Sequence, residues 1–225
     1  MKNKTIKAIL LNGFFYMVKI PKIIKQLFFN QIWSFPNTDN TVYLTFDDGP
    51  TPEITEKVLE TLEKHQIKAT FFCIGENVRK HPEIVQKILS KQHSIGNHTY
   101  SHLKGWKTST KNYINNTEAC EIKLNSLFNI SNSKLFRPPY GKITPWQSYK
   151  LRKLGYKIIM WDVLSKDYDV NLSPEICYEN VVNNVTSGSI IVFHDSVKAQ
   201  KNILNSLDKT IETLKSKGFN FEKIA

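Results

Sequence analysis

Arginine is scarce in this chain, although the chain is strongly basic. Only Arg79, Arg137 and Arg152 are arginine among the 31 basic residues, and the formal net charge is +11. Proteins that read nucleic-acid sequence depend on arginine for paired hydrogen bonds to base edges, and no basic run here is interleaved with aromatic residues. We therefore expect no nucleic-acid partner. The lysines form either a solvated surface or a surface for acidic polymers or anionic lipid.

Cysteine and glycine-rich phosphate motifs are also lacking. The three cysteines stand alone without a CxxC pair, so they predict no disulfide framework and do not identify the compartment. Cys73 lies in the apolar run "TFFCIG" and is typical of core packing. Neither of the two common glycine-rich nucleotide motifs occurs.

No apolar run reaches the roughly 20 residues that a membrane-spanning helix needs. The run "AILLNGFFYMV" has about eleven residues and no convincing signal-peptidase site follows it. No acid precedes Asp39, while this arm carries six lysines: Lys2, Lys4, Lys7, Lys19, Lys22 and Lys25. We predict an arm over residues 1–38 that either contacts a membrane surface peripherally or packs as a helix across the bottom of the following domain. The first alternative implies a cell-envelope or membrane-associated protein, and the second a cytoplasmic one.

From residue 42 onward, short apolar runs alternate with amphipathic helical segments. This order predicts a parallel sheet with crossover helices in one domain over residues 39–225. An eight-unit barrel usually needs about 250 residues, so a barrel that is slightly short or incomplete fits the length. Seven strands are predicted, in the segments "VYLTF", "KATFFCIG", "HSIGNH", "KLFRPPYG", "YKIIMWDVLS", "GSIIVFHDS" and "FNFEKI".

The residues capable of chemistry follow the ends of these predicted strands. Parallel strands bring their carboxyl ends to one face, where barrel folds build their active sites. We expect the following residues to meet there: Asp47, Asp48, His98, His102, Arg137, Trp161, Asp162, Asp167, His194 and Asp195.

Three of these residues could bind a metal. His98 and His102 are four positions apart, which predicts two imidazoles on the same side of a helical turn. Together with Asp48 they would form a three-ligand site that leaves a coordination position open. The alternatives are two hydrogen-bonded loop histidines, and an ordinary surface turn at "DDGP".

Two further residues are candidates for positioning and proton transfer. Arg137 precedes two prolines on a stiff backbone, so its guanidinium could hold a neighbouring carboxylate ionised and oriented, unless it is an ordinary surface arginine. His194 ends an apolar strand beside acids, where it could act as an acid or a base, or serve as a core histidine.

Four motifs in this order resemble the polysaccharide deacetylases, the NodB-homology group or carbohydrate esterase family 4. They are "TFDDGP" at 45–50, "HTYSH" at 98–102, "RPPYG" at 137–141 and "VFHD" at 192–195. The resemblance covers about residues 40–225. It implies a distorted, TIM-like (β/α) barrel, often with seven strands. It also implies hydrolysis of the N-acetyl group of N-acetylglucosamine or related units, as in peptidoglycan or chitooligosaccharides.

The resemblance also implies a role for each site residue. Asp47 would be the general base, oriented by Arg137, and His194 the general acid, tuned by Asp167. The metal, usually zinc with cobalt or nickel as alternatives, would be held by Asp48, His98 and His102. Four residues would contact the substrate: Tyr140, Trp161, Tyr168 and Val192. Tyr140 would also stabilise the oxyanion through its backbone N–H.

One motif departs from the family pattern, which is roughly Asp-x-x-Asp-Trp. Here "LSKDYD" puts Leu164 at the first acid and Tyr168 at the tryptophan. This puts the sugar specificity in doubt more than the catalysis. Two alternatives stay open: a metal-dependent deformylase or imidase acting on a smaller substrate, and a catalytically silent carbohydrate-binding protein.

Overall fold

The computed structural model describes residues 17–36, 39–128 and 134–225, which form an α/β fold around one parallel sheet. The strands are β1 (Thr41–Asp47), β2 (Thr70–Cys73), β3 (Ser94–Asn97), β4 (Leu135–Phe136), β5 (Lys157–Ile158), β6 (Val163–Leu164), β7 (Ile190–His194) and β8 (Asn220–Glu222). The helices are α1 (Lys22–Leu27), α2 (Ile54–Lys64), α3 (Gly75–Lys80), α4 (Pro82–Ser90), α5 (Thr110–Phe128), α6 (Pro145–Lys153), α7 (Pro174–Val182) and α8 (Gln200–Ser216). Single 3-10 turns cover Gly105–Lys107 and Pro139–Gly141.

The sheet curls into a distorted barrel, which confirms the predicted fold class. The strand order is β5-β4-β3-β2-β1-β7-β6, with β8 beside the first half of β1, and every named pair is parallel. The carboxyl ends of the strands therefore share one face. No helix in the described part of the chain is long and apolar enough to cross a membrane.

The fifth predicted strand, "YKIIMWDVLS", is interrupted, so the sheet has eight short strands where seven were expected. Its first part, β5, pairs with β4, and its second part, β6, pairs with β7, so this segment joins the two ends of the sheet. Residues of the N-terminal arm bond to the same segment from its other side. Ile32 exchanges hydrogen bonds with Ile158 and Met160, and Leu164 donates to Val18. The arm thus satisfies backbone groups that an open sheet edge would expose.

Side chains along β1 alternate between two environments, as the two-residue period of a strand requires. Leu44 and Phe46 pack outward into the core between the sheet and its helices. Thr45 and Asp47 point to the other side, where both bond to the buried guanidinium of Arg137. A second apolar cluster fills the barrel interior, and Trp33 of the arm belongs to it.

Asp162 lies away from the face where the sequence placed it. Because the predicted strand is interrupted, Asp162 precedes β6 instead of ending a strand, and it lies at the opposite end of the barrel. Its carboxylate pairs with Lys19 at 2.6 Å and with Lys25, and it accepts a hydrogen bond from Ser189 at 2.5 Å. Asp162 therefore fastens the arm to the barrel and has no place in the site.

The described part of the arm packs on the barrel. Ile20 and Ile24 are buried in the interior cluster, whereas Ile23 and Leu27 on the other side of α1 are exposed. Residues 1–16, with most of the apolar run, lie outside the described residues. The membrane-surface interpretation and the domain boundary at 38/39 therefore stay predictions.

Replacing Asp162 should loosen the arm. Asp162→Ala removes the acceptor that Lys19, Lys25 and Ser189 share, so we expect a loss of about 1–3 kcal/mol in the free energy of unfolding. Urea denaturation would measure this loss. The control is Glu175→Gln, which breaks the exposed Lys209–Glu175 pair and should change the stability very little. Equal effects of the two changes would contradict the role assigned to Asp162.

Candidate metal centre and active site

The turn after β1 sends its two adjacent carboxylates in different directions. Asp47 still has strand geometry, whereas Asp48 adopts a left-handed backbone with φ 82°. This reversal is uncommon for a residue other than glycine. It allows neighbouring acids to reach different partners, which lowers the repulsion expected of two like charges side by side.

Asp47 is held by a fully buried arginine. The Nη1 of Arg137 donates to Oδ1 of Asp47 at 2.7 Å, and also to Oγ1 of Thr45 at 2.7 Å. The same guanidinium donates to the backbone carbonyls of Ile159 and Met160. Burial lowers the pKa of Arg137, and the charge of Asp47 opposes that shift. The carboxylate of Asp47 is therefore fixed in orientation beside a permanent positive charge.

Asp48 faces the two histidines. Its Oδ1 lies 3.1 Å from Nε2 of His102 and 3.5 Å from Nε2 of His98. Burial alone would raise the pKa of Asp48, but hydrogen bonds with His102 and His98 hold it well below its usual range. The Nδ1 of His98 lies 2.8 Å from the carbonyl oxygen of Arg137. With Nδ1 donating its proton to this carbonyl, the lone pair of Nε2 would be free to bind a metal ion held between His98 and Asp48.

The segment between the histidines is a loop, so the predicted helical turn is wrong. Thr99 and His102 both have left-handed backbones, with φ 63° and 53°. Asn116 accepts hydrogen bonds from the N–H groups of Tyr100 and Ser101, which ties this loop to α5. The two imidazoles still converge, with ring centroids 5.1 Å apart. The four-residue spacing thus predicted correctly that the two imidazoles lie close together, although the segment between them is not helical.

The donor set of this group fits a small divalent metal. Two ligand atoms at about 2.1 Å from a tetrahedral zinc ion are about 3.4 Å apart, close to the distances between Asp48 and the two imidazoles. A second group within the described residues, His65, Asp208 and Glu212, also meets a distance criterion for metal binding. There Lys64 already pairs with both acids, so that cluster is explained as an ordinary surface network.

His194 ends β7 and pairs with a fully buried carboxylate. Its Nδ1 lies 2.8 Å from Oδ1 of Asp167, whose Oδ2 accepts from the backbone N–H of His194 at 2.7 Å. Burial alone would lower the pKa of His194, but Asp167, with smaller contributions from Asp48 and Asp47, raises it to about 9. His194 is therefore protonated at neutral pH, as a group that donates a proton must be.

The sequence offered no role for Asp195, whose side chain supports the turn after β1. Its carboxylate accepts from the N–H of Gly49 at 3.0 Å and from the hydroxyl of Thr55 at 2.6 Å. A Cβ atom on Gly49 would meet this carboxylate at 2.0 Å, so only glycine allows the approach. Burial raises the pKa of Asp195 to about 8. Its position directly after His194 was the only sequence signal of this role.

One cleft of about 380 Å³ is lined by the candidate base, acid and metal ligands: Asp47, His194, Asp48, His98 and His102. All four predicted substrate residues line it: Tyr140, Trp161, Tyr168 and Val192. The ring of Tyr168 meets the ring of His194 edge-on, with centroids 5.0 Å apart. Tyr168, one of the two residues that depart from the family pattern, therefore contacts the candidate acid. Lys142 and Lys198 also line the cleft. Sequence reasoning missed both, because lysine is common throughout this chain.

Known deacetylases are similar to this chain. The family description "Polysaccharide deacetylase" matches residues 35–159. A peptidoglycan-N-acetylglucosamine deacetylase from Bacillus cereus is 39% identical over 190 residues, which are 84% of this chain and 68% of that protein.

Solved structures are similar as well. The crystal structure of the Bc1960 peptidoglycan N-acetylglucosamine deacetylase, in complex with 4-naphthalen-1-yl-N-oxidanyl-benzamide, has a TM-score of 0.82 and 38% identity. The similarity covers 87% of this chain and 91% of that one. BA3943 is a pseudoenzyme of carbohydrate esterase family 4, and the structure of a mutant with restored enzymatic activity has a TM-score of 0.78 and 26% identity. This similarity covers 86% of the present chain and 69% of the BA3943 chain. Since pseudoenzymes share this fold, activity has to be argued from the site residues.

The two histidine clusters can be tested against each other. We expect His98→Ala/His102→Ala to lose stoichiometric divalent metal, because two of three ligands disappear. The matched change His65→Ala in the surface cluster should leave the metal content unaltered. Elemental analysis of the purified proteins would measure both. Metal retained in the double variant, or lost in the surface variant, would contradict the assignment.

Proposed function

This chain belongs to the polysaccharide deacetylase family, carbohydrate esterase family 4, and we propose that it removes N-acetyl groups from a glycan. The proposed substrate is peptidoglycan, at N-acetylglucosamine or a related N-acetylated unit. The observation that carries this proposal is the convergence of three groups on one cleft. They are the Asp47–Arg137 pair, the cluster of Asp48 with two histidines, and the His194–Asp167 pair.

The metal we propose is zinc, bound by Asp48, His98 and His102. These residues supply two imidazole nitrogens and one carboxylate oxygen, the ligand types of catalytic zinc sites that keep a position open. When bound, such an ion polarises a carbonyl oxygen and lowers the pKa of water from 15.7 to about 7. An amide needs this help, because its carbonyl carbon is a poor electrophile.

Asp47 is the proposed general base. Arg137 occupies Oδ1 of Asp47 and fixes the plane of the carboxylate. Asp47 accepts a proton from the attacking water as the water oxygen bonds to the carbonyl carbon. The N–H of Tyr140, on a left-handed residue at the cleft wall, is the proposed backbone donor to the oxygen that gains charge.

His194 is the proposed general acid. As the carbon–nitrogen bond breaks, the nitrogen takes the electron pair and needs a proton to leave as an amine. His194 donates that proton, and Asp167 supports the charged imidazole before the transfer. The products are acetate and a free amino sugar, and the proton that Asp47 accepted returns to solvent.

The pocket favours an acetylated sugar over the alternatives. Val192 and Leu164 provide an apolar wall for a methyl group, whereas a formyl group has no methyl to bury. Exposed Tyr140 at the mouth offers a flat ring to a sugar. A catalytically silent binding protein would not need both a candidate base and a candidate acid. The substrate that the protein hydrolyses will distinguish a deacetylase from the deformylase and imidase alternatives.

Acetate release tests the proposal directly. The zinc-loaded protein, incubated with purified bacterial peptidoglycan, should release acetate and form glucosamine or muramic units that can be identified after digestion of the glycan. Chitooligosaccharides and a formylated amine serve as comparison substrates. Release of formate alone would favour the smaller-substrate alternative, and release of neither acid would overturn the proposed activity.

Removing the base should stop the chemistry and spare the metal. We expect Asp47→Asn to lower kcat by about 10²–10⁴-fold, the usual contribution of a general base. Its zinc content should stay at the wild-type value, because Asp47 is not a proposed ligand. Asp39→Asn, at an exposed acid two residues before β1 begins, is the control for charge. Loss of zinc together with activity in Asp47→Asn would argue against separate roles for the two acids.

The pH profile should reveal the pairing of His194 with Asp167. A general acid works only while protonated, so activity should fall as the pH rises through the pKa of His194, about 9. In Asp167→Asn this pKa should fall to about 6.5, the ordinary value for histidine, or below it, because burial lowers the pKa and Asp167 is the main group that opposes this. The alkaline limb of kcat should therefore move to lower pH by at least about two units. Ser165→Ala removes a hydroxyl that donates to Oδ1 of Asp167 at 2.8 Å but keeps the carboxylate, so it should move the limb far less. An unmoved limb in Asp167→Asn would be inconsistent with this role.

A further inference from the structure

Two large aromatic rings stand exposed on helix α6. Trp146 is 57% exposed and Tyr149 is 40% exposed. Their rings stack on each other, with centroids 5.1 Å apart and planes 13° apart. Lys150 lies over the ring of Trp146 and Lys153 over that of Tyr149. Exposed aromatic groups of this size are more typical of binding surfaces than of solvated helices.

Helix α6 is joined rigidly to the wall of the cleft. The buried amide of Gln147 donates to the carbonyls of Gly105 and Thr108, each at 3.0 Å. The indole N–H of Trp106 donates to the carbonyl of Ile143 at 3.0 Å. Lys142, which lines the cleft, lies with its ammonium 5.3 Å from the centre of the Trp106 ring. The start of α6, the 3-10 turn and the cleft wall therefore form one surface.

Lysines and aromatic rings alternate across this surface. We define the lysine–aromatic ledge by six residues: Lys104, Trp106, Trp146, Tyr149, Lys150 and Lys153. Lys104 at its cleft end lies over the ring of Tyr140 at 5.0 Å. No single run of the sequence shows this pattern, because two segments about 40 residues apart contribute to it.

The two segments that form the ledge contain no acidic residue. The sequence contains no Asp or Glu between Glu83 and Glu118, nor between Glu121 and Asp162. All six ledge residues come from these two stretches. After burial, repulsion from Lys104 and Lys107 is what lowers the pKa of Lys142. The ledge therefore carries several positive charges close to one another.

We propose that the lysine–aromatic ledge is a second glycan-binding surface, which holds a carboxylate-bearing glycan strand beside the cleft. The flat rings of Trp146 and Tyr149 match the apolar C–H faces of sugar rings, and the lysines match carboxylates carried on the strand or on its peptides. This inference rests on the proposed function. It adds a preference for long, acidic strands over short, neutral oligomers, because a second contact on one strand raises the effective affinity.

Stacked aromatic rings with lysines also suit single-stranded nucleic acid. The position of the ledge favours a glycan, because the ledge continues into a cleft whose other residues suit amide hydrolysis on a sugar. Nucleic acid therefore enters the experiment as a competing ligand.

Co-sedimentation of the full-length protein with insoluble peptidoglycan would test the ledge. We expect Trp146→Ala/Tyr149→Ala and Lys150→Gln/Lys153→Gln each to weaken binding about tenfold, the range of a significant interface residue. Matched controls are Ile122→Ala/Leu127→Ala, at exposed apolar residues of α5, and Lys57→Gln/Lys201→Gln, at exposed lysines of α2 and α8. Both controls should bind as the wild type does. Ledge variants that bind as tightly as the controls would overturn the proposal.

Chemical neutralisation of the polymer tests the role of charge. Peptidoglycan whose carboxylates have been coupled to ethanolamine should bind the wild type several-fold less tightly. On this neutral polymer, Lys150→Gln/Lys153→Gln should have no further effect. Unchanged wild-type binding to the neutral polymer, or equally tight binding of a single-stranded oligothymidylate, would overturn the carboxylate-bearing glycan as the ligand.

Deacetylation rates on long and short substrates distinguish a failure of this inference from a failure of the proposed function. The ratio of the deacetylation rate on peptidoglycan to that on a short N-acetylglucosamine oligomer should fall about tenfold in the ledge variants. An unchanged ratio would count against the ledge while leaving the deacetylase proposal intact. Binding to peptidoglycan that depends on the ledge, in a protein that releases no acetate from any substrate, would instead overturn the proposed activity alone.

Discussion

The buried guanidinium of Arg137 connects the parts of the structure on which the site depends. It donates to Asp47 and Thr45 on β1 and to the backbone carbonyls of Ile159 and Met160 in the segment that joins the two ends of the sheet. The carbonyl of Arg137 itself lies within hydrogen-bond distance of His98. One residue thus links the candidate base, a candidate metal ligand and the closure of the barrel. A charge with no exposed surface is tolerated only because its hydrogen bonds are satisfied in this way.

The separation of roles between neighbouring acids follows from the same arrangement. Asp47 keeps its strand geometry and meets Arg137, while the left-handed backbone of Asp48 turns the next carboxylate towards the histidines. The carboxylate of Asp195 stabilises that turn by accepting hydrogen bonds from Gly49 and Thr55. On the opposite wall, Asp167 holds His194 through both its ring and its backbone N–H. Each reactive group is therefore oriented by a buried partner, which keeps the cleft organised before any substrate binds.

Much of this could be predicted from residue order. Apolar runs that alternate with amphipathic helices predicted the parallel barrel, and the motifs that follow those runs predicted which side chains would meet. Both errors have the same cause, because residue order does not show where the backbone departs from regular structure. The segment from 156 to 165 was predicted as one strand, so Asp162 was assigned to the site face. The strand is interrupted, and Asp162 instead pairs with Lys19 and Lys25. The helical turn between His98 and His102 is a loop with two left-handed residues, and residue spacing alone does not distinguish the two.

The sequence by itself determined the fold class, the family and the chemical kinds of group available, because hydrophobic period and motif order are properties of the chain alone. Tertiary structure decided the partners. It placed the carboxylate of Asp195 against Gly49 and Thr55, and it packed the turn that carries Trp106 against the start of the helix that carries Trp146. It also set the arm against the two ends of the sheet. The physical reason is that hydrogen bonds and ion pairs form between groups close in space, and chain order says little about which distant residues the turns of the backbone bring together.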